Sequence, residues 1–214
     1  MPYCDTLITP QQIHIAIWQL TETLDELMML WGKDDYPQRF MNVQAEKRRR
    51  EILATALLLR EYFGHDVELR HAPNGAPLID ECNISISHTG THIAIALHPT
   101  CRVGVDIETI GRRAERVVSR FMSVEEVAQL PQEENLPAGD TTQRLIAIHM
   151  AWSVKEAIYK IHPTAVEFRR DIILSPMKTL PSGSVTALLS DSDTPIEAYY
   201  TLYEGCSLAW VSQL

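Results

Sequence analysis

Two long helical stretches stand among short β-rich runs, and their placement constrains the fold more than any other feature of this chain. Residues 43–62 have a charged first half (EKRRRE) and an apolar second half (ILATALLL), with Gly64 placed to stop the helix. Residues 142–161 form a second, longer helix. Around them lie runs that alternate in polarity or are rich in β-formers: IHIAIW (13–18), VELRHA (67–72), NISISH (83–88), THIAIALH (91–98) and RVGVDIE (102–108). SVTALL, PIEAYYTLY and CSLAWVSQL follow near the C-terminus, with Glu204-Gly205 as the turn between the last two. Because strands and helices mix without strict alternation, an α+β fold is expected rather than a doubly wound sheet.

Shorter features complete the reading. Residues 21–31 predict a short helix, and PNGAP (73–77) a turn. Thr89-Gly90 predicts a tight connection between two strands. RRAERVVSRF (112–121) reads as a helix, and Ser123 with Glu126 has the capping-box spacing that starts the next one. PQEENLPAGD (131–140) reads as a polar loop. HIAIW at 14–18 and HIAIA at 92–96 echo each other, which hints at two related halves. The division expected is residues 1–100 and 101–214 of the 214.

Composition excludes several classes. The formal net charge of −9 argues against a global attraction to nucleic acid or anionic membrane. No apolar run of about 18 residues is present, so no transmembrane helix is expected. MPYCDTLITPQQ lacks the pattern of a secretory signal. The four cysteines are scattered without CxxC spacing, as expected of reduced thiols in a cytoplasmic protein.

Three stretches carry chemistry. In VGVDIE (103–108), strand alternation sends Asp106 and Glu108 to one face and Val103, Val105 and Ile107 to the other. Two neighbouring acids repel unless a cation or proton lies between them. Such a pair suits Mg²⁺, which takes one or two carboxylates along with water and phosphate oxygens. The plain alternative is a solvated strand end. In AWSVKEAIYK (151–160), Trp152, Glu156 and Lys160 share one helical stripe, so Glu156 could complete a three-acid set and Lys160 could neutralise phosphate charge. A Glu–Lys pair four residues apart is also an ordinary helix contact. In NISISHTG (83–90), Ser87 and His88 end an apolar strand before a glycine turn, where hydroxyl, imidazole and backbone N–H groups could hold phosphate. HExxH, GxSxG, P-loop and GxGxxG patterns are all missing, so zinc, serine-hydrolase and mononucleotide-loop chemistries are not indicated.

Taken in order, ISISH, VGVDIE and WSVKEAIYK resemble the 4′-phosphopantetheinyl transferase superfamily, of the larger surfactin-synthetase-activating type. The resemblance is strongest over 73–160 and weakens after about 165. It implies two similar α+β halves related by pseudo-twofold symmetry in a monomer, with the active site between them. It implies Mg²⁺-dependent transfer of the phosphopantetheine arm of coenzyme A to a serine of an apo acyl or peptidyl carrier protein, with release of adenosine 3′,5′-bisphosphate. Nucleic acid and membrane are not expected partners.

The resemblance also implies roles for single residues. Asp106, Glu108 and Glu156 would be metal ligands, with Glu156 the candidate base and Lys160 a catalytic cation. Ser87, His88 and Lys155 would contact CoA phosphates. Of the cluster 47–50, Arg50 is the positional match for an arginine on the CoA nucleotide. One departure stands out: Gly75-Ala76-Pro77 replaces the family's Gly-Lys-Pro, which removes a phosphate-binding lysine. A CoA-binding relative without activity is the competing reading. Arg112, Arg113, Arg116 and Arg120, close to one face of an expected helix, would steer an acidic carrier.

Overall fold

A computed structural model describes residues 4–131, 142–162, 166–177 and 181–213. All but the first residue of the predicted loop 131–140 lies outside the described residues. The chain divides into two compact units, Met1–Thr100 and Cys101–Leu214. Among the described residues no helix is long and apolar enough to cross a membrane. Cys82, Cys101 and Cys206 carry thiols.

The first unit begins with β1 (Cys4–Ile8) and β2 (His14–Gln19). Helix α1 (Leu24–Trp31) starts at a capping box in which Thr23 and Glu26 satisfy each other's backbone N–H groups, and it ends on Gly32 at φ 68°. After α2 (Gln38–Met41), the charged and apolar halves of the 43–62 stretch become α3 (Glu46–Phe63). It stops where Gly64, at φ 74°, turns left-handed. Leu53, Ala54, Leu57 and Leu58 are buried and join the core with Trp18, Ile93 and Ile95. β3 (Arg70–His71) and β4 (Pro77–Leu78) form a small ladder of their own. β5 (Asn83–His88) and β6 (His92–His98) complete a sheet of order β1-β2-β6-β5. Thr89 closes their hairpin, accepting from the N–H groups of Thr91 and His92 at 3.0 Å each.

The second unit begins with β7 (Arg102–Thr109), then a 3-10 segment, Ala114–Arg120, and α4 (Val124–Ala128). The Ser123–Glu126 capping box forms as its spacing predicts. The long α5 (Thr142–Ile161) is followed by α6 (Phe168–Asp171), β8 (Ile172–Leu174), β9 (Ser182–Leu189), β10 (Ser192–Tyr203) and β11 (Cys206–Gln213). The sheet order is β7-β11-β10-β9-β8. Helix α5 packs on β7 and β11 through Met150, Ala151, Val154, Ala157 and Ile158. Glu204 and Gly205, both at positive φ, make the tight turn from β10 to β11.

The two units share part of their connectivity, although β1 and the separate β3–β4 ladder have no counterpart among the described residues of the second. In each, a strand (β2 or β7) is followed by a long helix (α3 or α5) and later by a strand (β6 or β11) that pairs antiparallel with it. The α+β class is therefore as expected. The HIAI echo has another explanation, because its two copies are β2 and β6, antiparallel neighbours in a single sheet. Two further readings are corrected. Of VELRHA only Arg70 and His71 find a strand partner. The 112–121 stretch makes a 3-10 segment from Ala114 instead of an α-helix. With about three residues per turn, Arg113 and Arg116 align while Arg120 turns away, although all four arginines are exposed.

Candidate active site

The acids are placed by one close approach. At Gly104 on β7, any side chain would run into the carbonyl of Ala157 on α5. Glycine therefore lets the helix backbone lie directly on the strand, and strand and helix periodicity do the rest. Two residues along β7, Asp106 shares the face of Gly104, and one residue back along α5 stands Glu156. Lys160, one turn further on, donates from Nζ to Asp106 Oδ1 at 2.9 Å and to the Val105 carbonyl at 2.7 Å. Asp106 is 6% exposed, and Glu108 and Glu156 are half-buried.

The electrostatics follow from that packing. Burial pushes the Glu156 carboxyl above the ordinary carboxylate value, and the Asp106 charge adds to the rise. Lys160 pulls the other way, and Glu108 contributes a smaller push upward. The three acids thus feel one another, with a single ammonium among them.

Buried hydroxyls fix the helix against the strands. Ser153 and Ser207 meet at 2.7 Å, and the Ser207 hydroxyl also lies within donating distance of the carbonyls of Glu108 (3.4 Å) and His149 (3.3 Å). Sequence reading missed these two serines. Ser153 stands one turn after His149 on α5, and Ser207 pairs with Glu108 across the β7–β11 ladder.

Lys155 does not share this face. It is 0% exposed, and its ammonium reaches Glu126 Oε2 (2.8 Å) and the carbonyls of Phe121 (2.8 Å), Ile172 (2.7 Å) and Phe168 (3.0 Å). Glu126 also accepts from the Leu174 N–H at 3.0 Å. Four surrounding oxygens saturate an ammonium with three protons, so Lys155 serves the fold and offers nothing to a CoA phosphate.

The first unit contains a cleft of about 820 Å³. Arg48, Glu51, Ile52, Thr55 and Ala56 line it from α3, with His88 and Ile86 from β5. Arg48 Nη1 lies 2.6 Å from His88 Nε2 and 2.8 Å from Glu51 Oε2. Arg39 meets His71 on the same cleft. Burial, helped by the charges of Arg39 and Arg48, holds the His71 imidazole below its ordinary value.

Two of the residues expected to contact CoA lie away from this cleft. Arg50 does not line the cleft: its Nε donates to the Glu22 carbonyl at 2.9 Å, and Arg48 takes the place beside His88. Ser87, 6% exposed, projects to the opposite face of β5 from His88, as strand alternation requires. Ala76 presents no cation, and its N–H bonds to Asn74 Oδ1 at 3.1 Å.

Three acids and one lysine thus gather on a strand–helix pair, with Asp106 buried and the rest half-buried. In a comparison with known families, the model described as the 4′-phosphopantetheinyl transferase superfamily matches residues 102–210, which hold all of Asp106, Glu108, Glu156 and Lys160. The chain belongs to this superfamily of transferases. No curated protein matches it.

Proposed function

We propose that this chain is an Mg²⁺-dependent enzyme of the surfactin-synthetase-activating type. It would transfer the 4′-phosphopantetheine arm of CoA to a serine of an apo acyl or peptidyl carrier protein. The observation that carries the reading is the Lys160 ammonium on Asp106 at 2.9 Å, with Glu156 one turn before Lys160 on α5 and its carboxyl raised by burial and by the charges of Asp106 and Glu108. The strand, long helix and paired strand common to both units support the implied duplication.

Among the described residues no three His, Cys, Asp or Glu side chains are arranged to enclose a metal ion. The donor set nevertheless fits Mg²⁺, which prefers oxygens and needs only one or two carboxylates when phosphate and water supply the rest. Asp106, Glu108 and Glu156 would hold it. Bound there, Mg²⁺ supplies charge neutralisation at the pyrophosphate of CoA.

The protein's own groups do the remaining work. A carboxylate whose proton affinity is raised is suited to accept the proton of the incoming serine hydroxyl, and Glu156 is that group. The Lys160 ammonium, oriented by Asp106 and the Val105 carbonyl, faces charge building on the phosphoryl oxygens. The bond between the β-phosphorus and its bridging oxygen breaks, the serine oxygen takes that place on phosphorus, and adenosine 3′,5′-bisphosphate leaves. Arg48, His88, Arg39 and His71 in the cleft of the first unit would receive nucleotide phosphates. The exposed arginines Arg112, Arg113, Arg116 and Arg120 would steer acidic carriers, and salt should weaken that steering.

Incubation of apo carrier proteins with the protein, CoA and Mg²⁺, with an EDTA control, tests this reading. A mass gain of one phosphopantetheine that EDTA abolishes supports it. CoA binding by calorimetry without transfer to any carrier would favour an inactive CoA-binding relative instead.

A further inference from the structure

His149 is a buried imidazole for which the transfer chemistry has no use. It lies on α5, 4% exposed, between the fully buried Ile148 and Met150. Its Nε2 is 2.9 Å from both the amide nitrogen and the carbonyl oxygen of Gly111. In one neutral tautomer Nε2 accepts from the Gly111 N–H, and in the other it donates to the Gly111 carbonyl, so Gly111 is held either way. Its Nδ1 is buried with no hydrogen-bond partner among the described residues. An apolar side chain would fill this place without an unpaired Nδ1 of its own, so the polar act that distinguishes histidine here is its grip on Gly111.

Gly111 stands where the arginine segment begins. The Ile110 N–H bonds to the Gly205 carbonyl at 3.2 Å, and Gly111 is the next residue. Arg112 and Arg113 follow, exposed, and lead into the 3-10 segment with Arg116 and Arg120. At the far end, the Phe121 carbonyl accepts from Lys155, also on α5. The helix thus holds the arginine segment at both ends, through His149 and Lys155. Between those ends Ala114 bonds to Gly111 at 3.4 Å and Arg116 to Arg113 at 3.3 Å, both long, while Val117 and Val118 pack on the core and Glu115 lies 3.7 Å from Arg144 of α5. The acids need no such support, because β7 is paired with β11 from Arg102 through Thr109.

We infer that His149 is a positioning residue that fixes the Gly111–Arg116 segment to α5, and so presents its arginines to the carrier protein without acting on the transfer step. This rests on the transferase reading only for its consequence in catalysis. The attachment of the segment itself can be measured without any substrate.

The test compares wild type, His149→Phe and His149→Gln. The Phe variant keeps the bulk and removes the grip. The Gln variant keeps a group that can donate or accept. Amide hydrogen exchange of residues 109–120 is measured in the free protein. Kinetics are measured with CoA and an apo acyl carrier protein. His149→Phe should speed exchange at Gly111–Arg116 by about tenfold and raise KM for the carrier about fivefold, while kcat and KM for CoA stay within twofold. His149→Gln should restore most of both. Unchanged exchange in His149→Phe overturns the inference. So does a fall in kcat together with faster exchange throughout the second unit, which would mark general loosening. If wild type modifies no carrier, the transferase reading fails, and the exchange experiment alone still decides whether His149 holds the segment.

Discussion

Gly104 on β7 and Ala157 on α5 touch backbone to backbone, with no room for even a methyl group at position 104. The glycine of VGVDIE thereby sets the distance at which Glu156 stands from the acid strand. Gly104→Ala must push the helix away or twist the strand. Overpacking of this kind costs about 1–3 kcal/mol. The expected result is a lower midpoint of denaturant unfolding together with a loss of transfer much larger than the loss of folded protein. A variant with wild-type stability and activity would show that the close approach does not govern the site.

Lys155 is expected to behave as part of the core. Removing one member of a buried pair leaves the other unpaired, at a cost of about 3–5 kcal/mol. Lys155→Met should therefore destabilise the second unit by about that much. Joint replacement of Lys155 and Glu126 by apolar residues should recover part of the loss, although the Leu174 N–H then loses its acceptor. Chemical denaturation of the two single variants and the double variant measures the coupling. A soluble Lys155→Met protein of unchanged stability but weakened CoA affinity would return this lysine to a binding role.

Much of this was legible in the sequence, and the misreadings have physical causes. The capping box at Ser123, the stops at Gly64 and Gly205, and the two long helices depend on local geometry, which residues within a few positions determine. The strand at 67–72 did not form in full because a strand needs a partner, and only Pro77 and Leu78 supply one. The Arg50 assignment ignored helical phase. Positions 48, 51, 52, 55 and 56 form one stripe along α3, and that stripe lines the cleft, whereas Arg50 lies about 200° round from Arg48. Helical phase likewise keeps Lys155, whose role comes from the resemblance alone, off the stripe of Trp152, Glu156 and Lys160. Arg39 and His71 left no signal in the sequence, since α2 and β3 come together only in the folded unit.

The cleft should separate Arg48 from Arg50. Arg48→Ala removes a cation that touches His88 and lines the cleft, so KM for CoA should rise about tenfold with little change in kcat. Arg50→Ala should have a much smaller effect on KM, because its side chain is engaged with the Glu22 carbonyl. Equal effects of the two substitutions would contradict the placement.

His71 makes binding in the cleft depend on pH. Burial and two neighbouring guanidinium groups favour its neutral form in the free protein. A polyanion in the cleft favours the charged form, so binding CoA should draw a proton onto the imidazole. Affinity should then fall as pH rises through the value His71 adopts in the complex. Calorimetry in buffers of different ionisation enthalpy measures the uptake, and His71→Ala should abolish it. Proton release on binding would have the wrong sign for this account.

The central claim is that Glu156, close enough to Asp106 and Lys160 to feel both charges, carries out the transfer chemistry. The most direct measurement is the intact mass of an apo carrier protein after incubation with CoA, Mg²⁺ and either wild type or Glu156→Gln. The account predicts a gain of one phosphopantetheine with wild type and none with the variant, while the two proteins melt at similar temperatures. Transfer by Glu156→Gln at a rate near wild type would contradict it.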